Sequence, residues 1–471
     1  MSKHYKYLVG GKHHSSDDKL FVVNPYNGST VGITSLVPEN EINIALDKSV
    51  AAFSKMKSMS SFNRSELLLN IARGISDKKE ILASIISAEA GKPIQLANVE
   101  VARAITTFTL ASEEAKRIQG EVIPLDNISQ SNVKRGIISR YPIGTVLSIT
   151  PYNYPLNLVA HKIAPAIAAG NSFIIKPAPQ TPLTAILLGE ILLEAGVPEE
   201  TVNVIPCTNE MAEMMVKDDR IKFVSFTGSA NVGWKIRQNS SMKKNLLELG
   251  GNAAAIIDET SDIDSAVSKA VKSSFAYAGQ VCIKLQRILL HEDIYPEFAM
   301  KFVEETAKLV VGSPALEDTF VGPMISLHEA NRVHNWILEA KKGGANILWG
   351  GTKKGSMIMP TVLENVKSSM NVWKEEVFGP VVCFKSFKEI GEAILDVNDS
   401  KYGLQASIFS NNHYSIMKAY EEIEAGAVLV NEAPSYRNDS MPYGGIKLSG
   451  YGREGIRYAI EAMTEPKLLI M

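Results

Sequence analysis

The middle of the chain alternates short apolar segments with longer amphipathic ones, and this alternation restricts the possible fold more than any other feature. Segment 172–176 is largely apolar, whereas 182–195 carries apolar residues at helical spacing. Because strands that alternate with helices usually pair in parallel, the sequence predicts two doubly wound α/β units that meet near Leu249. The predicted strands are 144–150, 172–176, 202–205, 223–226, 253–257, 287–290, 381–384 and 427–430, with another near Ile347.

Helices are predicted wherever apolar residues recur every three or four positions between charged ones. They are 41–55, 63–76, 79–90, 94–118, 156–169, 182–195, 209–216, 262–277 and 294–311. Between them, two β-rich segments, Glu121–Pro124 and Gly136–Arg140, flank a polar centre at 126–132. This arrangement predicts a hairpin.

Composition and charge narrow the classes of partner. With 45% hydrophobic residues and a formal net charge of −2, the chain is typical of a globular protein and lacks the basic character of nucleic-acid or membrane-surface binders. The uncharged run 141–160 is long enough to span a bilayer, but Pro142, Pro151 and Pro155 interrupt it. We therefore expect no nucleic acid, no membrane and a small-molecule ligand.

Cysteine usage predicts a reducing compartment. Cys207, Cys282 and Cys383 are an odd and sparse set, which argues against a disulfide framework. The first ten residues contain no sustained apolar core of the kind a signal peptide has. The expected location is the cytoplasm.

Cys282 follows Gly279, Gln280 and Val281 in a segment without metal-ligand spacing. A thiolate there would be a good nucleophile, and Gly279 would let the backbone approach a substrate closely. The alternative is a buried free cysteine that only packs.

Two further polar residues are candidates for the chemistry. Glu248 lies in Leu247–Gly251, at the junction of the two α/β units where a cleft is expected, so it is either a catalytic base or a carboxylate that caps a turn. Pro151 and Pro155 bracket Asn153, whose amide could serve an oxyanion hole or hold a turn.

The remaining motifs are weak individually. Lys176 ends a strand, the Phe226-Thr-Gly-Ser229 turn could bind pyrophosphate on its amides, and Glu376-Val-Phe-Gly-Pro380 supplies another carboxylate. Residues 442–450 add a glycine-rich loop.

Together, in order along nearly the whole chain, these motifs resemble those of one family, the NAD(P)-dependent aldehyde dehydrogenases. Cys282 stands 34 residues after Glu248, and Lys176 stands 23 after Asn153, as in the family pattern. The resemblance implies that Cys282 attacks an aldehyde, that the Asn153 amide and the Cys282 N–H hold the oxyanion, and that Glu248 activates water to hydrolyse the thioester.

The resemblance also implies an NAD or NADP site and no metal. Lys176 and Glu376 would bind the two riboses, Ser229 and the turn after Gly228 the pyrophosphate, and Phe378 would pack on the nicotinamide ribose. The cofactor-binding residues expected on this basis are Pro151, Tyr152, Lys176, Pro179, Gly228, Ser229, Gly233, Leu249, Glu376 and Phe378. Pro179 stands where NAD-preferring members often carry an acid, which permits NADP without requiring it.

The family architecture implies an aldehyde dehydrogenase-like α/β fold with a small β element for oligomerisation. The expected divisions are a cofactor domain (1–119 and 141–249), a catalytic domain (250–454), and a hairpin with a C-terminal tail (120–140 and 455–471). Because the tail 467–471 is short and apolar, we expect a homodimer or homotetramer.

The substrate is expected to be a small aldehyde contacted by Tyr154 and Arg437. The run 436–455 most resembles the branch that oxidises hydroxylated or anionic aldehydes, such as lactaldehyde or glyceraldehyde; glyceraldehyde 3-phosphate (without phosphorylation) and phosphonoacetaldehyde are alternatives. Arg437 offers a planar cationic fork for anions, or it pairs internally with Glu432 or Asp439. A CoA-acylating enzyme, for which Glu248 would have no use, and a binding or structural protein are the other classes.

Overall fold

The computed structural model describes residues 3–129 and 134–471, so part of the predicted polar hairpin centre, 130–132, lies outside the described residues. The α-helices are α1 (Glu39–Ser58), α2 (Ser61–Asp77), α3 (Lys79–Ala90), α4 (Ile94–Ala115), α5 (Asn157–Ala169), α6 (Pro182–Glu194), α7 (Asn209–Lys217), α8 (Ala230–Asn239), α9 (Ile263–Phe275), α10 (Tyr295–Ala307), α11 (Leu327–Lys342), α12 (Asn371–Lys374), α13 (Ile390–Asn398), α14 (His413–Glu422) and α15 (Ile456–Ala462).

The strands of the first half are β1 (Tyr7–Val9), β2 (Lys12–His14), β3 (Lys19–Val23), β4 (Thr30–Ser35), β5 (Glu121–Pro124), β6 (Arg135–Pro142), β7 (Thr145–Ile149), β8 (Phe173–Lys176), β9 (Ile221–Thr227) and β10 (Lys244–Glu248). Those of the second half are β11 (Ala253–Ile257), β12 (Leu285–His291), β13 (Asn346–Trp349), β14 (Lys353–Lys354), β15 (Met357–Ile358), β16 (Thr361–Glu364), β17 (Val381–Phe387), β18 (Tyr402–Gly403), β19 (Gln405–Phe409), β20 (Ala427–Val430), β21 (Ile446–Lys447), β22 (Gly450–Tyr451) and β23 (Thr464–Ile470).

Two largely parallel sheets confirm the predicted α/β class. The first has the order β22-β10-β9-β7-β8, with β22 antiparallel to β10. The second has the order β13-β16-β17-β12-β11-β19-β20, with β13 antiparallel to β16. β10 leads directly into β11, so the chain passes from one sheet to the other at Leu249–Asn252. Ligands of such sheets bind outside the carboxyl ends of the strands.

Several predicted bounds were wrong for local reasons. Residues 202–205 form no regular strand, since only Val204 makes isolated bridges, with Leu8 and Ile175, between a 3-10 helix and Pro206. α10 ends at Ala307 rather than 311, because Val310 accepts backbone hydrogen bonds from Phe320 and Val321. The helix predicted for 94–118 ends at Ala115.

The helix predicted for 262–277 also ends early, at Phe275. Tyr277 and Ala278 have φ values of 53° and 52°, in the left-handed region. L-residues adopt that region at a cost and do not continue a right-handed helix from it.

The predicted hairpin exists as β5 and β6, which pair antiparallel with Glu121 opposite Ile138. β23 adds to the other edge of β6, with Leu468 also opposite Ile138. Leu469 and Ile470 are more than half exposed. The boundaries of the predicted domains remain predictions. Among helices of the described residues, none is both long and apolar enough to cross a membrane.

One buried ion pair fixes the start of α5. Lys92 and Glu100 have almost no side-chain exposure and are hydrogen-bonded to each other. Glu100 also accepts hydrogen bonds from the N–H groups of Leu156 (2.9 Å) and Asn157 (3.1 Å). The carboxylate thus satisfies amides at the positive end of the helix. Burial lowers the pKa of Lys92 to about 8 despite this partner.

We predict that Lys92→Met destabilises the protein by about 3 kcal/mol, because it leaves the Glu100 carboxylate buried without its counter-ion. The matched control is Lys78→Met, which breaks the exposed pair with Glu194 (2.6 Å) and should cost about 0 to 1 kcal/mol. Urea unfolding of both variants measures the difference. Equal losses would contradict a structural role for the buried pair.

Candidate active site

A cavity of about 460 Å³ opens at the carboxyl ends of the strands, where the two sheets meet. Its wall carries residues from both halves of the chain. The predicted residues that line it are Pro151, Tyr152, Asn153, Tyr154, Gly228, Ser229, Leu249, Cys282, Glu376, Phe378 and Arg437. Glu248, Lys176, Pro179 and Gly233 were also predicted but lie off this wall.

Cys282 reaches the wall through a tight turn that follows α9. Tyr277 and Ala278 are left-handed, and Gly279 has φ 68°. A Cβ on Gly279 would clash with the backbone oxygen of Gly379. Gly279 therefore makes room for protein backbone, and the close approach to a substrate stays a prediction.

The side chain of Gln280 holds this turn in place through hydrogen bonds to neighbouring backbone groups. Its Nε2 donates to the carbonyl oxygens of Tyr277 (3.3 Å) and Pro323 (3.2 Å), and its Oε1 accepts from the N–H of Ile325 (2.8 Å). Gln280 is fully buried, so these bonds are shielded from water. The backbone that carries Cys282 is thereby held in one position.

The Cys282 thiol is partly exposed to the cavity, whereas Cys207 and Cys383 are buried. Its Sγ lies 3.0 Å from the hydroxyl oxygen of Tyr443. Burial raises the pKa of this thiol to about 11, while the hydrogen bond with Tyr443 and the charge of Arg437 act to lower it. Accessibility distinguishes Cys282 from a cysteine that only packs.

Asn153 is held by the same turn. Its Nδ2 donates to the carbonyl oxygen of Gln280 at 2.9 Å, and its side chain is 4% exposed. An amide nitrogen carries two protons, so one remains for a further acceptor. The bracketing prolines were predicted to immobilise this amide; the structure shows the additional contact with Gln280 that orients it.

Glu248 ends β10, behind the cavity wall. It is 3% exposed, its Oε1 accepts from the N–H of Glu454 at 3.3 Å, and its Oε2 has no hydrogen-bond partner among the described residues. Burial, together with the nearby charge of Glu454, raises the pKa of Glu248 well above its usual value. Such a carboxylate is a stronger base than one in water.

Another part of the cavity wall has features of a phosphate site. Gly228 and Ser229 line it immediately before α8, and helix N-termini favour anions through their free amides. A Cβ on Gly233 would clash with Leu249, so this glycine lets α8 pack closely against the junction between the sheets. Gly233 thus supports the site from behind.

Glu376 and Phe378 line the cavity from the second half of the chain. Oε1 of Glu376 accepts from the N–H of Gly251 at 3.0 Å, and burial raises the pKa of Glu376 to about 7. A Cβ on Gly250 would clash with the same carboxylate. Phe378 has φ 46° and packs edge-on against Tyr152, with ring centroids 6.1 Å apart.

Lys176 and Pro179 do not line the cavity. Lys176 ends β8, is 5% exposed, and has a pKa lowered by burial. Its backbone oxygen accepts from the N–H of Thr150 at 3.2 Å, next to the cavity residue Pro151. Pro179 is exposed, and its neighbour Gln180 lines the cavity.

Arg437 lines the cavity and is also paired internally. Its Nη2 lies 3.1 Å from Oε2 of Glu454, and its Nε lies 3.8 Å from Asp439. The alternative pairing with Glu432 was wrong, because Glu432 pairs with Lys269 at 3.1 Å. Nε of Arg437 is buried without a hydrogen-bond partner in the described chain.

A second cation on the wall, Arg103, was missed by sequence reasoning. It lies on α4, its side chain is 26% exposed, and it donates to Asp439 through Nη2 (2.5 Å) and Nε (3.2 Å). His161 contacts the same carboxylate at 2.9 Å. Arg103 belongs to a helix with no recognisable motif, and its partner is 336 residues away, so no local signal could have identified it.

Comparison with known proteins places the chain among relatives of similar length. Residues 12–469 match the model described as "Aldehyde dehydrogenase family". The chain is 42% identical over 470 residues to 3-sulfolactaldehyde dehydrogenase of Priestia aryabhattai, covering 100% of this chain and 98% of the relative.

Two solved structures share the fold closely. Aldehyde dehydrogenase 21 from Physcomitrella patens, in complex with the reaction product succinate, superimposes with a TM-score of 0.98 at 40% identity, covering 100% of this chain and 98% of that one. Glyceraldehyde-3-phosphate dehydrogenase GapN from Methanocaldococcus jannaschii, complexed with NADP, has a TM-score of 0.92 at 38% identity, covering 96% and 98%.

Proposed function

Because the chain belongs to the aldehyde dehydrogenase family, we propose that it oxidises a small hydroxylated or anionic aldehyde to the carboxylic acid through a thioester on Cys282. It is an oxidoreductase that uses NAD or NADP. The observation that carries the proposal is the cavity that Cys282 and Asn153 share with two of its three lining arginines, Arg103 and Arg437. Lactaldehyde and glyceraldehyde are the simplest candidates, with glyceraldehyde 3-phosphate and phosphonoacetaldehyde as the anionic ones.

In the proposed acylation, Cys282 Sγ forms a bond to the carbonyl carbon, and the carbonyl π electrons move to oxygen. The second Nδ2–H of the Asn153 amide and the backbone N–H of Cys282 donate hydrogen bonds to the resulting oxyanion. The oxyanion electrons then re-form the C=O bond as a hydride leaves this carbon, which gives the thioester, and a bound NAD(P)+ would supply the acceptor for that hydride. The Gln280 contacts matter here because oxyanion donors must be in place before charge develops.

In the proposed deacylation, Glu248 takes a proton from the water that attacks the thioester. The C–S bond then breaks and its electrons return to sulfur. The elevated pKa of Glu248 suits this role. Its Oε2, which is buried without a partner among the described residues, is the atom that would accept the proton. Because Glu248 lies off the cavity wall, we infer that its side chain turns towards the thioester for this step.

The residues present fit a dinucleotide. Gly228, Ser229 and the first amides of α8 would hold its pyrophosphate, Lys176 and Glu376 its riboses, and Phe378 would pack on the nicotinamide ribose. Gly250 leaves space in which the Glu376 carboxylate can lie. Pro179 carries no negative charge that would repel the 2′-phosphate of NADP.

An anionic group on the substrate is favoured over hydroxyl groups alone. Arg103 and Arg437 line the cavity, and an arginine fork suits carboxylate, sulfonate or phosphate oxygens. Of the compounds named for the three relatives, 3-sulfolactaldehyde and glyceraldehyde 3-phosphate each carry one such group, and the product succinate carries a carboxylate in addition to the one that the oxidation forms. Tyr154, also on the wall, would contact the same substrate.

Exposed apolar residues of β23 support a homodimer or homotetramer, since an uncovered edge strand is an aggregation site. The three cysteines, all free thiols, are compatible with a cytoplasmic location.

Glu248→Gln should separate the two half-reactions, because an amide cannot accept a proton from water. We expect a stoichiometric burst of reduced cofactor and a steady-state rate at least 100-fold lower, measured at 340 nm by stopped flow. Cys282→Ser is the control and should lose the burst as well as turnover while still binding cofactor. Unchanged turnover in Glu248→Gln would assign water activation to another group.

Arg103→Leu and Arg437→Leu should each raise KM for anionic aldehydes about tenfold or more, as a lost charged hydrogen bond of about 1.5 to 3 kcal/mol predicts. Propionaldehyde kinetics should change little in Arg103→Leu. The exposed Arg457, which pairs only with Glu461 among the described acidic residues, provides a matched control as Arg457→Leu. A uniform loss across the aldehyde panel, with a lower Tm, would instead make these arginines internal braces through Asp439 and Glu454.

Removal of residues 467–471 should reduce the assembled mass, because it deletes most of the exposed apolar part of β23. Light scattering measures this change. Leu395→Asp, at a residue 71% exposed elsewhere on the surface, is the control and should leave the mass unchanged. An unaltered mass after truncation would exclude the tail from the subunit interface.

A further inference from the structure

Tyr443 contacts the reacting sulfur but has no role in the steps described above. Its hydroxyl oxygen lies 3.0 Å from Cys282 Sγ, within hydrogen-bonding distance for sulfur, and both residues line the cavity. Tyr443 is 3% exposed, so water does not compete freely for its hydroxyl group. The two residues come from segments 161 positions apart.

The backbone of Tyr443 is fixed by a two-way pairing with Glu454. Tyr443 N–H donates to the Glu454 oxygen at 3.0 Å, and Glu454 N–H donates to the Tyr443 oxygen at 2.6 Å. Glu454 is in turn paired with Lys162 at 2.9 Å. These contacts hold the phenol in place before any substrate arrives.

The ring of Tyr443 lies under a cation. The guanidinium carbon of Arg437 is 3.8 Å from the ring centroid. A positive charge over an aromatic face stabilises electron density in the ring, and it therefore strengthens the phenol as a hydrogen-bond donor. Arg437 is held over the ring by its ion pair with Glu454.

We propose that Tyr443 is a catalytic residue whose phenol O–H donates to the thiolate of Cys282, and that Arg437 is a positioning residue that acts through the ring of Tyr443. This inference rests on the proposed function, in which Cys282 is the nucleophile.

The hydrogen bond would act in two steps, the attack on the aldehyde and the cleavage of the C–S bond in deacylation. Once the thiol proton has left to water, only the phenol can donate in this pair, and it does so to the lone pair that attacks the aldehyde. In deacylation the electrons of the C–S bond return to sulfur, and the same O–H donates a hydrogen bond to the thiolate that forms. The phenol proton stays on its oxygen throughout.

The electrostatic environment of the thiol supports this assignment. Burial and the carboxylates Glu376 and Glu248 raise the pKa of Cys282, whereas Tyr443 and Arg437 lower it. The two groups that favour the thiolate are thus the phenol and the cation above its ring. A phenylalanine would fill the same space and offer no donor.

Tyr443→Phe tests the proposal without substrate or cofactor. The rate of Cys282 alkylation by iodoacetamide is followed by intact mass from pH 6 to 10, with Cys282→Ser as the blank for Cys207 and Cys383. Loss of the donor should raise the pKa of the Cys282 thiol by about one pH unit. On the rising limb this corresponds to about threefold slower labelling, because a more basic thiolate partly offsets its lower population.

A second alkylating reagent distinguishes a lower thiolate population from a change in the shape of the cavity. If the thiolate population falls, N-ethylmaleimide should be slowed by about the same factor as iodoacetamide. Tyr436→Phe is the matched control, since Tyr436 is 49% exposed in the same loop, and it should label like the unaltered enzyme. Tm should be unchanged in Tyr443→Phe because the ring is retained.

Overlapping profiles for Tyr443→Phe and the unaltered enzyme would overturn the proposal, as would slowing that differs between the two reagents. Neither result would bear on Cys282 as nucleophile, which the Cys282→Ser turnover measurement tests separately.

Discussion

One buried carboxylate, Glu454, connects the groups on which the site depends. Its side chain pairs with Lys162 and Arg437, and its N–H contacts Glu248. Burial alone would raise its pKa, but Lys162 and Arg437 lower the pKa of Glu454 to about 2. A charge in this position is tolerated because it is fully paired. Loss of both cations would leave an uncompensated charge beside the proposed base.

This arrangement explains why the two carboxylates can have different roles. Glu454 has its cations and stays ionised, whereas Glu248 lies beside that fixed negative charge and has a raised pKa. Neighbouring carboxyl groups whose environments separate their pKa values are suited to different chemical tasks. The pKa of Glu248 thus depends on the charge of Glu454 as much as on the position of Glu248 at the end of β10.

Sequence reasoning predicted the parts of the molecule that depend on local pattern. Residues 253–257 and 79–90 were predicted with the observed bounds, because periodicity and flanking turns determine them. Arg103 and the Tyr443 hydroxyl were missed as contacts, since each meets its partner only after distant segments have folded together. The end of α9 was misplaced because left-handed Tyr277 and Ala278 are not glycines, and tertiary contacts of the turn override their preference.

The core that supports the first sheet is closed by the end of the chain. Ile456, Ile460 and Met463 pack into the same buried cluster as α2, α4 and α5, and β22 covers the edge of β10. During synthesis at about 5 to 20 residues per second, some 200 residues must follow β10 before this closure is possible. The N-terminal half therefore leaves the ribosome with apolar surface uncovered for about 10 to 40 seconds. During this interval the uncovered surface is accessible to chaperones.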